Sequence, residues 1–136
     1  MASYRSAILK VLLTEGGYAN DPDDAGGETY KGIARKFWPR WSGWAIIDVA
    51  KKQSGYERAL NRNMQLNDAV IAFYKVNFWD KVGGDFIASQ TIANNLVDAA
   101  VNEGIKGAVK RAQAIVLLAQ TGVITPELVT KLNLLV

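Results

Sequence analysis

Apolar positions along the chain fall into a succession of short helical stripes. Tyr4, Ala7, Ile8, Val11 and Leu12 recur at three- and four-residue spacing, the period of one helix face. Ser3 stands where an N-cap belongs. Gly16-Gly17 are expected to end this helix in the left-handed conformation that glycine accepts. The following segment, Asn20-Asp-Pro-Asp-Asp-Ala-Gly-Gly27, is dense in turn residues. Its position between Tyr18 and Thr29-Tyr30 predicts a short irregular β-hairpin. Residues 33–60 read as short helices interrupted by Pro39 and Gly43, with an aromatic cluster of Phe37, Trp38, Trp41 and Trp44. Asn67 or Asp68 is expected to cap a helix reaching Phe78, with Ala69, Ala72, Phe73 and Val76 facing inward. Gly83-Gly84 marks a turn. Ser89 caps a helix running to Asn102, Gly104 stops it, and a further helix spans Lys106 to Ala119. Thr125-Pro126-Glu127 is a helix start: a capping hydroxyl, a proline in the first turn and an acid near the positive dipole end. The pattern predicts a mainly α fold, a single helical domain with a small β-hairpin near the N-terminus.

Composition narrows the chemistry. The 136 residues suffice for one domain with a real core, and 49% apolar with 21% charged residues is the balance of a soluble globular chain. With no cysteine and no histidine, thiolate metal sites, cysteine nucleophiles, His-containing triads and imidazole acid/base chemistry are all excluded. Proton transfer must then rest on Asp, Glu, Lys or Tyr. No cofactor and no metal site is expected. A net charge of +3 suits an anionic polymer but is too small to argue for nucleic acid. Apolar runs such as Ala114–Ala119 fall far short of the ~18 residues of a membrane span. The apolar stretch Ala7–Leu13 is cut by Lys10 and followed by no small-residue cleavage site, unlike a signal peptide. Synthesis in the cytoplasm, with release by another factor if the protein acts outside, is the expectation.

Glu15 is the most informative residue. It lies four after Val11, three after Leu12 and seven after Ile8, and so continues the apolar stripe into the last turn of the first helix. Burial there and the negative end of the helix dipole would both disfavour its charged form, as a general acid working near neutral pH requires. The plain alternative is a carboxylate reaching solvent from a frayed helix end. The turn that follows supplies Asp21, Asp23, Asp24 and Glu28 together with Thr29. One of these acids facing Glu15 would complete the carboxyl pair of a glycosidase. Calcium fits poorly: counted from Asp21, position five is Ala25 and position twelve Gly32, where an EF-hand places ligands. A solvated turn bonding its own backbone is the structural alternative.

The segment Glu15-Gly-Gly-Tyr-Ala-Asn-Asp-Pro-Asp-Asp-Ala-Gly-Gly-Glu-Thr-Tyr-Lys-Gly-Ile33 resembles the signature of the family 108 glycoside hydrolases, phage and bacterial N-acetylmuramidases. The similarity continues through Phe73-Tyr-Lys-Val-Asn-Phe-Trp79 and Asp98-Ala-Ala-Val-Asn-Glu-Gly104, and covers the chain to about residue 120. Val97 replaces the phenylalanine often found before that aspartate. Residues 1–120 are thus expected to form a lysozyme-like muramidase domain. Residues 121–136 would be an abbreviated remnant of a C-terminal peptidoglycan-binding-like region, packed on the same domain.

The resemblance implies that Glu15 protonates the glycosidic oxygen as the β-1,4 bond between N-acetylmuramic acid and N-acetylglucosamine breaks. It further implies that Asp24 orients or activates water and stabilises positive charge at the sugar, and that Thr29 positions that water; Asp21 and Asp23 are rivals for the second carboxyl. Direct attack by water would place the carboxyls ~6.5–9.5 Å apart and invert the anomer. Tyr18, Asn20 and Tyr30 flank these acids as sugar contacts, with turn and packing roles as the alternative. Asp98 and Asn102, four apart on one helix face, either line the cleft floor or form a buried polar pair tying the helix end to the hairpin. The aromatic cluster stacks on sugars or fills the core. The implied partners are peptidoglycan glycan strands and, for release to the wall, a holin or secretion system, with no nucleic acid and no membrane span. Rival readings are a lytic transglycosylase, which needs Glu15 but no water-activating acid, and a non-catalytic wall-binding or secretion-accessory protein.

Overall fold

A computed structural model of the chain describes residues 1–23 and 26–135. Among the described residues, seven α-helices and three strands follow one another as α1 (Tyr4–Thr14), β1 (Tyr18–Asn20), β2 (Glu28–Tyr30), β3 (Ile33–Ala34), α2 (Gly43–Ala50), α3 (Tyr56–Arg62), α4 (Met64–Tyr74), α5 (Gln90–Glu103), α6 (Ile105–Ile115) and α7 (Pro126–Asn133). The protein is mainly helical, as the apolar periodicity requires. No helix among the described residues is long and apolar enough to cross a membrane. The chain divides into two compact units, Leu12–Phe73 and Met1–Val11 with Tyr74–Val136.

In the unit Leu12–Phe73, the strands form one antiparallel sheet in the order β1-β2-β3. Tyr18 lies opposite Tyr30, Ala19 opposite Thr29 and Asn20 opposite Glu28. The predicted hairpin is therefore present and gains a third strand. Tyr30 pairs with Ile33, and the two residues between them, Lys31 and Gly32, have φ of 50° and 81°. Two consecutive positive φ values are those of a type I′ turn, whose twist matches the strands it joins. Lysine is an unusual first residue for such a turn, which is why the sequence does not announce β3.

The same unit buries Tyr30, Ile33, Trp44, Ile47, Leu60, Leu66, Val70 and Phe73. Trp41 and Trp44 meet edge to face at 5.3 Å, and Trp41 also packs on Phe73. Gly43 is the first residue of α2 and not a break. It lies against the Trp41 ring, where a Cβ would collide. The cap of α4 is Asn63, whose Oδ1 accepts from the Leu66 N–H at 2.9 Å, four residues before the expected Asn67. That earlier start sets a different inward stripe, Leu66, Val70, Phe73 and Tyr74, and leaves Ala72 and Val76 exposed. The first helix also ends differently from expectation. Gly16 and Gly17 follow it, but neither has positive φ.

In the other unit, the residues after α4 widen into a π-helical turn, Lys75–Trp79, with the Asp80 N–H reaching the Lys75 carbonyl at 2.8 Å. The wider turn shifts the helical phase and brings Trp79 fully inside. Its indole N–H donates to Asp85 at 2.8 Å, and Tyr4 packs on its ring at 5.5 Å. A short 3-10 turn, Gly84–Phe86, leads to α5. Three caps read from the sequence are present: the Ser3 hydroxyl accepts from the Ser6 N–H at 3.3 Å, and the Ser89 hydroxyl accepts from the Ile92 N–H and the Thr125 hydroxyl from the Leu128 N–H, each at 3.2 Å. Helix α6 stops at Ile115, short of the expected Ala119, because Leu117 turns to φ 63° and the Leu118 N–H closes on the Gln113 carbonyl at 2.8 Å. Buried Gln113 then holds the next loop, donating to Thr121 and to the Val123 carbonyl and accepting from the Gly122 N–H. Leu128 and Leu132 of α7 are buried, and Asn133 brackets the 3-10 turn through the Phe86 carbonyl and the Ala88 N–H.

Candidate active site

Helix α1 carries its apolar stripe inward. Ala7, Ile8 and Val11 are buried, whereas Leu9 and Leu13 on the opposite face are 57% and 85% exposed. Glu15 lies one residue past the helix and not in its last turn as expected, on the bend that leads into β1, and is half-buried.

The other predicted residues are distributed as follows. Thr29 is the middle residue of β2 and half-buried, with its backbone between Ala19 and Ala34. Asp24, expected to be the second carboxyl, lies outside the described residues. Asp21 accepts from the Asp23 N–H at 2.9 Å, a local turn that bonds its own backbone. Tyr18 is half-buried and Asn20 exposed. Tyr30 has no exposed surface, and its hydroxyl is the buried side-chain polar atom without a partner among the described residues. Burial raises its pKa. A phenol enclosed in this way has no route to a sugar in this conformation. Asp98 and Asn102 share one face of α5 and are both exposed, opposite the buried Ala93, Leu96, Val97 and Ala100, so they are not the buried polar pair.

Because an unpartnered buried hydroxyl costs free energy, Tyr30→Phe is expected to leave stability unchanged or raise it by about 1 kcal/mol, read as the midpoint of thermal unfolding. A loss above that size would mean the hydroxyl has a partner in solution.

The sheet also carries a charge cluster that the sequence reading did not single out. The side chain of Glu28 is 12% exposed and accepts from Tyr18 Oη at 2.6 Å, Lys51 Nζ at 2.7 Å and Arg35 Nη1 at 3.0 Å. Arg35 forms a two-pronged pair with Asp48 at 2.7 and 2.8 Å and lies over the Trp44 ring. Tyr18 in turn meets Tyr56 edge to face at 5.6 Å. Burial by itself would push the Glu28 carboxyl up, but the hydrogen bonds from Lys51, Tyr18 and Arg35 outweigh it, and the group titrates below the ordinary glutamate value. Its alternation in β2 places Glu28 and Tyr30 on one face and Thr29 on the other. The cluster ties both strands of the hairpin to α2, giving the sheet that follows Glu15 a fixed position within its unit. The five hydrogen-bonded residues, Tyr18, Glu28, Arg35, Asp48 and Lys51, are spread over positions 18–51, so only the fold brings them together.

A depressed carboxylate pKa contributes stability above the ordinary value of about 4, lost as pH falls through the depressed one. Glu28→Gln is therefore expected to lower stability by about 1–3 kcal/mol at neutral pH, where it removes the charged acceptor shared by Tyr18, Lys51 and Arg35 and leaves Asp48 as the one acid for both cations. The difference from wild type should shrink toward pH 3. Thermal unfolding at both pH values checks this, and a pH-independent difference contradicts it.

Fold and site define a mainly helical protein with a small acid-bearing antiparallel sheet directly after its first helix. The chain belongs to the glycosyl hydrolase 108 family, whose pattern matches residues 8–104, from α1 to the glycine after α5. It is also similar to the solved structure of Brucella abortus SagA, at 28% identity and a TM-score of 0.68, over 98% of this chain and 70% of that one. No curated protein sequence matches it.

Proposed function

We propose that the protein is an N-acetylmuramidase that hydrolyses the β-1,4 bond between N-acetylmuramic acid and N-acetylglucosamine in peptidoglycan, with Glu15 as the general acid. The observation that carries this reading is the position of Glu15: a half-buried glutamate one residue past the first helix, on the bend that leads into the sheet and inside the family-matched segment. Such a carboxyl gives its proton to the leaving oxygen while positive charge builds on the departing sugar ring. A second acid in the 21–24 turn stabilises that charge or activates water, and Asp24 with Thr29 is the assignment we favour. The exposed Asp98 and Asn102 offer hydrogen bonds to sugar hydroxyl and N-acetyl groups, and Tyr18 and Asn20 do so from β1. The catalytic step requires no cofactor. The enzyme acts on the wall after release from the cytoplasm by a holin or secretion route. Purified sacculi incubated with the full chain should clear, and the Glu15→Gln variant should not.

A further inference from the structure

Resting on the muramidase reading, we infer that the exposed turn at residues 36–40 is a second contact surface for the substrate, one that takes the carboxylate-bearing stem peptides of peptidoglycan. Lys36, Phe37, Trp38, Pro39 and Arg40 are five consecutive exposed residues, with Phe37 at 70% and Trp38 at 36% exposure. Their exposure does not come from a loose backbone. The Phe37 and Trp38 N–H groups both donate to the Ala34 carbonyl, the Trp41 N–H donates to the Trp38 carbonyl, and the buried Trp44 indole donates to that same carbonyl at 2.8 Å. The Trp38 ring stands edge-on against Phe73 at 4.8 Å. The Phe37 ring is thus presented to water from a hydrogen-bonded turn, with the edge of Trp38 beside it in sequence.

The charge of the turn indicates what covers it. Between Glu28 and Asp48 the chain contains no acid and four cations, Lys31, Arg35, Lys36 and Arg40. Arg35 is neutralised by Glu28 and Asp48. Lys36 and Arg40 have no ion pair among the described residues, and the Lys36 ammonium lies over the Phe37 ring at 5.8 Å, so the turn presents positive charge beside an aromatic surface. Uncharged N-acetyl sugars would use the ring and leave both cations unmatched. Stem peptides present amide and methyl surface for Phe37 together with carboxylates for Lys36 and Arg40, which matches both features. Two cations beside one largely exposed ring are fewer than a stable anionic-membrane anchor uses.

The test is co-sedimentation of the full chain, kept cold, with three supports: intact sacculi, amidase-stripped glycan strands whose freed lactyl carboxyls are capped as methylamides, and phosphatidylglycerol vesicles. Lys36→Gln with Arg40→Gln should weaken binding to intact sacculi by about fivefold at low salt, with the difference fading as ionic strength approaches about 0.3 M. Phe37→Ala should weaken it about threefold at all salt concentrations, as an uncharged contact does. Neither variant should change binding to the stripped and capped strands by as much as about twofold, since both the stem peptides and the carboxylates that select this surface are absent there. Equal losses on intact and stripped wall, or no loss on either, overturn the inference. So does vesicle binding by the wild type that the variants abolish, which would make the turn a membrane contact. Failure of the wild type to clear sacculi while the binding pattern holds would overturn the muramidase reading and leave the stem-peptide surface standing. Lytic wild type with unimpaired variant binding would do the reverse.

Discussion

Replacing Glu15 by glutamine is expected to lower the rate of sacculus clearing by about 10²–10⁴, the usual contribution of a positioned proton donor. Glutamine keeps the shape and the hydrogen-bonding capacity of the side chain and removes only the proton. At a half-buried position just past the end of α1, the swap should disturb the packing of Ala7, Ile8 and Val11 little. Thermal unfolding of the variant within about 1 kcal/mol of wild type would show that the fold is intact. Wild-type clearing with full activity retained in the variant would remove Glu15 from the mechanism. An inert wild type that still binds sacculi would favour the non-catalytic wall-binding reading.

A comparably large effect, on stability, is expected from Gly84→Ala. A Cβ at Gly84 would fall inside the indole of Trp79, which has no exposed surface and is fixed by its hydrogen bond to Asp85 and its contact with Tyr4. Because the ring has nowhere to move, the turn Gly84–Phe86 must shift. Overpacking of this kind costs about 3 kcal/mol, which for a domain of this size is a fall of about 10 °C in the unfolding midpoint. The backbone at Gly84 is not left-handed, so the effect is steric. Calorimetry of the pair checks it, and a fall under about 3 °C would show that the turn yields cheaply.

The features legible in the sequence are those set by local chemistry. The inward positions Ala7, Ile8 and Val11, the hydroxyl caps at Ser89 and Thr125 and the stop at Gly104 each depend on residues within a few positions of one another, and each stands where it was expected, whereas Glu15 falls one residue beyond the helix. What escaped has a physical reason in each case. Lys31 and Leu117 adopt positive φ at places where glycine or asparagine would have marked a turn, so β3 and the end of α6 carry no signal. The π-helical turn at 75–79 has no residue code, and it changes the phase on which inward positions are counted. The aromatic cluster divides, Trp44 inside and Phe37 outside, because the succession of tight turns between Ala34 and Trp44 decides which rings face in. Glu28 is one of four acids in a turn-rich stretch, and only its meeting with Arg35 and Lys51 from distant positions distinguishes it.

The nature of the ends left in the digested wall tests the central claim most directly. Soluble fragments released from sacculi can be reduced with borohydride and analysed by mass spectrometry. A muramidase acting through Glu15 should leave N-acetylmuramic acid at the new reducing ends, recovered as its alditol, and the Glu15→Gln protein should produce none above background. Ends of 1,6-anhydro-muramic acid throughout, or reducing N-acetylglucosamine, would contradict the account.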